Sequence, residues 1–239
     1  MRHLIRTIAQ RFHWYYYSNR SRFQPVVALR RFDPFAIALC TAFESLEKLQ
    51  FVQIGANDGV SNDPIYDFAT RYHWAGLLYE PMKEPFRALQ ENYRNQPHCR
   101  PVNAAVSTTM DTLKIWHIEN DGTLPEWASR IASTDREHIV RHRDACPEII
   151  DHIVCSEVET IDIRTIVNAE TKPDLLCIDA EGLDYDLVMA IDEQQLPPFI
   201  CFEHSHLSPE NMTELRQRFQ QSEHELWFAG RDCFAFRPR

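Results

Sequence analysis

The chain has 239 residues, 44% hydrophobic and 25% charged, which suits a globular protein with a sizeable core. Its formal net charge of −10 argues against a general nucleic-acid binder. No apolar run approaches the roughly 18 residues of a membrane span, and the N-terminus lacks the apolar stretch and cleavage site of a secretory signal.

Residues 1–32 read as an arm with seven arginines and no acid. Leu4, Ile5, Ile8 and Phe12 fall at helical spacing, and Trp14 to Tyr17 add an aromatic cluster. Such an arm suits packing on the body, self-association, or peripheral contact with an anionic membrane. The arginines alone would also suit a mitochondrial presequence. Asp33 and Pro34 then give the N-cap and first position of a helix expected over 34–49, so residues 1–49 form one unit of arm and helix.

From residue 50 strand and helix signals alternate. Strands are expected at 50–54, 75–80, 99–104, 112–118, 154–158, 174–179, 198–203, 224–229 and 232–237, and helices at 63–72, 83–94, 162–169, 183–191 and 209–220. Apolar strands separated by helices imply an α/β domain over 50–239 with a mainly parallel sheet covered on both faces. Gly230-Arg231 joins the last two strands as an antiparallel hairpin. Residues 119–153 break the rhythm, contain an expected helix from Thr134 to His142, and read as a lid-like insertion. The seven cysteines form no CxxC, and Cys177 and Cys201 lie in strand-like runs. They read as buried reduced thiols of a cytoplasmic protein.

The first strand ends in Gly55-Ala-Asn-Asp-Gly59. Gly55 and Gly59 can bring backbone close to a ligand, and the helix start that follows offers free amides to a carboxylate or phosphate. Asn57 and Asp58 are the polar side chains of this turn, and Asp58 could take an ammonium group. The glycines run GxxxG, not the GxGxxG of a dinucleotide site, and no lysine follows as in a P-loop. Glu80 closes the second strand, where a carboxylate can accept both hydroxyls of a ribose. Asn103 and Ala104 end the third, where Asn103 could meet an adenine edge. Three such ends on one carboxyl edge point to S-adenosylmethionine.

These segments resemble the FkbM family of S-adenosylmethionine-dependent methyltransferases. The resemblance rests on Val52 to Pro64, Gly76 to Pro81, Asn103 to Ser107, Asp174 to Asp186 and Phe202 to Leu207, and spans roughly residues 50–236. The chain carries the NDG-with-NDP variant of the first loop rather than the commoner NIG form. The resemblance implies a class I methyltransferase fold, Rossmann-like, with a seven-stranded sheet. It also implies O-methylation of a hydroxyl, commonly on a sugar or natural product.

Asp179 and Glu181 close the fourth strand of that sheet, and Glu203, His204 and His206 close the fifth. A hydroxyl needs a base within hydrogen-bond reach, and Asp179 or His204 is the candidate. Histidine has the more suitable pKa, whereas the resemblance puts Asp179 nearer the methyl position. Glu181 and Glu203 could orient the base or the acceptor, and His206 could join them. A divalent metal on Asp179, Glu203 and one histidine is the rival reading and is not favoured. His138 and His142 sit i, i+4 on the insertion helix, where a solvated face is expected. The expected activity is O-methyl transfer to a sugar, glycan or small natural product, and the alternative is a non-catalytic scaffold of the same fold.

Overall fold

The computed structural model describes residues 33–238 apart from Ala169 and Glu181. The basic arm over 1–32 and the expected orienting residue Glu181 therefore lie outside the described residues.

Helix α1 (Pro34–Ala42) starts as its sequence dictates: the Asp33 side chain accepts the Phe35 amide at 2.9 Å, and proline sits at the first position. It stops seven residues before the expected end at 49, because Phe43 turns extended (φ −118°, ψ 140°) and is itself buried. Next come β1 (Gln50–Ile54), α2 (Tyr66–Arg71), β2 (Ala75–Tyr79), α3 (Lys83–Asn92) and β3 (Cys99–Val102). Strands β4 (Ala105–Ser107), β5 (Thr112–Ile118) and β6 (Ala132–Ser133) precede α4 (Arg136–Val140) and the ten-residue β7 (Ile153–Asp162). The chain closes with α5 (Ile163–Ile166), β8 (Leu175–Ile178), α6 (Asp184–Ala190), β9 (Phe199–Glu203), α7 (Pro209–Gln221), β10 (Glu225–Ala229) and β11 (Asp232–Phe236).

The main sheet has seven strands in the order β10-β11-β9-β8-β1-β2-β3. Strands β3, β2, β1, β8 and β9 run parallel, and β11 runs antiparallel to both β9 and β10. This is the expected seven-stranded class I methyltransferase arrangement with its C-terminal hairpin. Alternating side chains divide its two faces. Phe51, Cys177 and Cys201 face a cluster with Phe35, Leu39 and Trp74, while Val52, Ile54, Ile178 and Phe202 face Leu187, Leu215 and Phe219. Each buried aromatic or branched side chain contributes about 1.5–3 kcal/mol, so helices on both faces are what hold the sheet.

The sequence left one architectural fact unread. Strands 112–118 and 153–162 leave the main sheet and pair with each other in a second sheet, β4-β7-β5-β6. The insertion between them has its own core, with Ile118, Leu124, Ala128, Ile139 and Ile149 buried. Its expected helix 134–142 is helical only over 136–140, then tightens to a 3-10 turn over Arg141–Asp144. Among the described residues, no helix is long and apolar enough to cross a membrane. All seven cysteines are free; Cys99, Cys146, Cys177, Cys201 and Cys233 are buried, whereas Cys40 and Cys155 are exposed.

Candidate active site

The loop after β1 bends where glycine permits it. Gly55 has φ +74°, and a Cβ there would lie 2.0 Å from the Asp179 carbonyl oxygen, so this glycine lets β1 and β8 end side by side. Gly59 (φ +71°) would press a Cβ onto Leu89 of α3 and onto Tyr93, which caps that helix, at 2.4 and 2.6 Å. Its lack of a side chain serves packing, not a ligand.

The expected cradle of free amides is not formed. Gly55 and Ala56 both donate to the Tyr79 carbonyl at 3.0 Å, and Gly59 donates to Ala56 at 2.8 Å. Asp58 accepts the amides of Val60 and Ser61 at 3.0 and 2.7 Å. Burial alone would raise its carboxyl, but hydrogen bonds from Ser61 and Val60 outweigh this and hold it low. Asp63 accepts the amides of Ile65 and Tyr66, both at 2.7 Å, and α2 begins only at Tyr66. Two aspartates on the loop thus take the amides of Val60, Ser61, Ile65 and Tyr66. Neither Asp58 nor Gly59 lines the cleft described next.

That cleft opens over the ends of β1, β2 and β8, with Gly55, Asn57, Glu80, Ala104 and Asp179 in its wall. Glu80 is 5% exposed, and its two oxygens accept the amides of Asn57 and Met82 at 2.9 and 2.8 Å. Each oxygen keeps a second lone pair for a hydroxyl donor. Burial pushes the Glu80 carboxyl up to about 7 despite these two amides. Asn103 is not in the wall: its amide group donates to the carbonyls of Glu80 and Pro81 at 2.9 and 3.0 Å, tying down the loop that Ala104 follows. Ala104 and its buried neighbours Ala105 and Val106 line the wall there instead.

A second cavity shares Ile54, Gly55, Asn57, Arg130 and Asp179 with the first and runs toward β9 and β11. Glu203 and Asp232, paired across β9 and β11, are in its wall, and the insertion covers it with Trp127, Arg130 and His142. Asn57 donates to the Arg130 carbonyl at 3.4 Å, joining the insertion to the first loop. Sequence alone did not single out Arg130, Trp127 or Asp232. Only the strand alternation that puts Asp232 at the start of the last strand could have flagged it.

The histidines are placed differently from the expectation. His204 lies edge-on to Phe228 with ring centres 5.1 Å apart and lines neither cavity, and burial lowers its pKa. His206 sits 3.5 Å from Asp184 and 3.7 Å from Glu203, and these carboxylates, Asp184 first, raise it to about 10. A histidine held protonated is no base at neutral pH. For Glu203, burial raises the carboxyl, but His206, Ser205 and Arg231 bring it down to about 2. Arg231 Nε donates to Glu203 Oε1 at 2.6 Å. Of the two expected bases, Asp179 alone lines the cavities. His142 lines the second cavity and His138 lines neither; burial, and then positive neighbours including Arg231, lowers both. Among the described residues, no three His, Cys, Asp or Glu side chains are grouped to hold a metal ion.

The Methyltransferase FkbM domain family matches residues 53–228. Among solved structures, a methyltransferase FkbM from Methylobacillus flagellatus KT shares 12% identity at TM-score 0.49, over 79% of this chain and 43% of its own. The chain thus spans under half the length of that protein. Precorrin-6y C5,15-methyltransferase from Geobacter metallireducens GS-15 aligns at 9% identity and TM-score 0.42, over 84% of each chain. Aeropyrum pernix fibrillarin, solved with natively bound S-adenosyl-L-methionine, aligns at 10% identity and TM-score 0.41, over 84% of this chain and 74% of its own. No curated protein matches the sequence. The family match spans most of the chain, including the first loop, Glu80 and Asp179, and the protein belongs to the FkbM methyltransferase family.

Proposed function

We propose that the protein transfers a methyl group from S-adenosylmethionine to a hydroxyl of a sugar, glycan or small natural product. The observation that carries this reading is the Glu80 carboxylate, buried between two backbone amides in the same cleft as Asp179. A carboxylate so placed suits a ribose diol, and Ala104, Ala105 and Val106 offer an apolar slot for an adenine ring. When bound, S-adenosylmethionine supplies an electrophilic methyl group on a sulfonium.

The chain's own residues would then align, shield and deprotonate. The second cavity supports an acceptor site because it meets the first at Asp179. Asp179 would take the hydroxyl proton of the acceptor as its oxygen attacks the methyl group. The insertion covers both cavities and excludes water. Glu203, fixed by Arg231 and His206, holds acceptor hydroxyls. In this reading His204 has no part in the chemistry.

The test is methyl transfer from radiolabelled S-adenosylmethionine into metabolite and glycan extracts. Wild type should label a product, and Asp179→Asn should keep cofactor affinity while turnover drops by about 10²–10⁴-fold. Full turnover in Asp179→Asn would remove the base assignment.

A further inference from the structure

The second cavity has a chemical bias of its own. Gln53 is 5% exposed and lines it, and the Gln53 side-chain amide donates to Asp63, leaving Gln53 Oε1 buried with no hydrogen-bond partner among the described residues. A buried amide oxygen without a donor is unfavourable, and a ligand N–H group reaching it would satisfy it. The same cavity is lined by the carboxylates of Asp63, Asp179, Glu203 and Asp232 against one lining arginine, Arg130, with Glu203 already paired to Arg231 and His206. The Arg130 guanidinium is also close enough to Asp58 to lower that carboxyl, which divides its charge between loop and cavity. Trp127 adds an aromatic wall on the insertion side, a surface that attracts cations. The walls thus carry more acidic than basic side chains, beside the polar groups of Asn57, Ser61 and Asn62.

We infer that this cavity binds a protonated amine, and that the methylated acceptor carries one beside its hydroxyl, as an amino sugar does. The inference rests on the acceptor reading of the cavity. Burial also leaves Asp232 titrating near 6, raised further by Glu203, so its carboxylate is ionised at neutral pH and gains most from a cation. Anionic acceptors, such as uronic acids or phosphorylated sugars, are disfavoured by the same charges.

An ammonium group has two sources here, the acceptor amine or the α-ammonium of the cofactor, and the experiment separates them. The full chain is melted with glucosamine, N-acetylglucosamine or glucose at equal ionic strength, and S-adenosylmethionine affinity is measured in parallel. Glucosamine should raise Tm more than the two neutral sugars, and Asp232→Asn and Gln53→Met should each diminish that difference while cofactor affinity holds. Equal shifts for the three sugars, or none, would overturn the inference. So would variants that weaken cofactor binding alone, since the ammonium would then be the cofactor's. A glucosamine-specific shift without any S-adenosylmethionine binding would keep the amine site and sink the methyl-transfer reading.

Discussion

At Glu80 two demands meet in one carboxylate. Its oxygens hold the Asn57 and Met82 amides, which set the loops, and face the cleft that suits a ribose. With its carboxyl raised to about 7, the unliganded protein carries this group partly protonated at neutral pH. Hydroxyl donors and a nearby sulfonium favour the ionised form, so ligand binding expels a proton. S-adenosylmethionine affinity should therefore rise between about pH 6 and 8, with proton release visible as a buffer-dependent calorimetric heat. Affinity flat across that range would exclude Glu80 as the grip. Gly55 gives a second residue-scale prediction. Gly55→Ala must remove a 2.0 Å clash with the Asp179 carbonyl at a positive φ, so it should lower Tm and impair turnover together. Glu80 and Gly55 were legible in the sequence because each closes a strand. Nothing in the dipeptide Asn-Asp says that the Asp58 side chain will turn its Oδ1 back onto its own loop amides.

Strand and helix positions in the main sheet were legible because apolar runs alternate with helical spacing, and β1, β8 and β9 fall within one residue of expectation. Sheet membership was not legible. Lys114, Glu157 and their neighbours alternate on strands with an exposed face, a pattern equally suited to an edge of the first sheet or a sheet of their own. The choice is made by tertiary pairing of β5 with β7 over seven residue pairs, which lifts the insertion above the cleft. The insertion depends on its own small core. Ile139→Ala, at a fully buried site, should cost about 2–5 kcal/mol locally. Hydrogen exchange should then speed up across 119–152 and leave β1 and β8 protected, while turnover falls. Uniform loss of protection would show that the insertion and main sheet unfold as one unit.

Over the whole molecule, several titrations act in the same direction. Glu80 and Asp232 have raised carboxyls, near 7 and 6, so their stability contribution is full below the unfolded values of about 4.5 and 3.8 and is lost as pH rises through the folded ones. His206, raised to about 10, contributes fully below about 6.5 and is lost as pH climbs through 10. Glu203 is the opposite case, since its contribution is present above about 4.5 and fades as pH falls through 2. His138, His142 and His204, lowered by burial, act the other way between about pH 5 and 7, so the Glu80 contribution is read as a difference: Tm of Glu80→Gln should gain on the wild type as pH rises from about 5 to 8. A Tm difference that stays flat across that range would contradict the Glu80 assignment.

The central claim is that the cleft between the first loop, Glu80 and Asp179 binds S-adenosylmethionine. Isothermal titration calorimetry of the wild type and Glu80→Ala tests it most directly. The account predicts one-to-one binding by the wild type and at least about a tenfold loss in Glu80→Ala, equivalent to 1.4 kcal/mol or more. Absence of binding by the wild type, or equal affinity in the variant, would contradict it, and absence would leave the chain as a scaffold of the same fold.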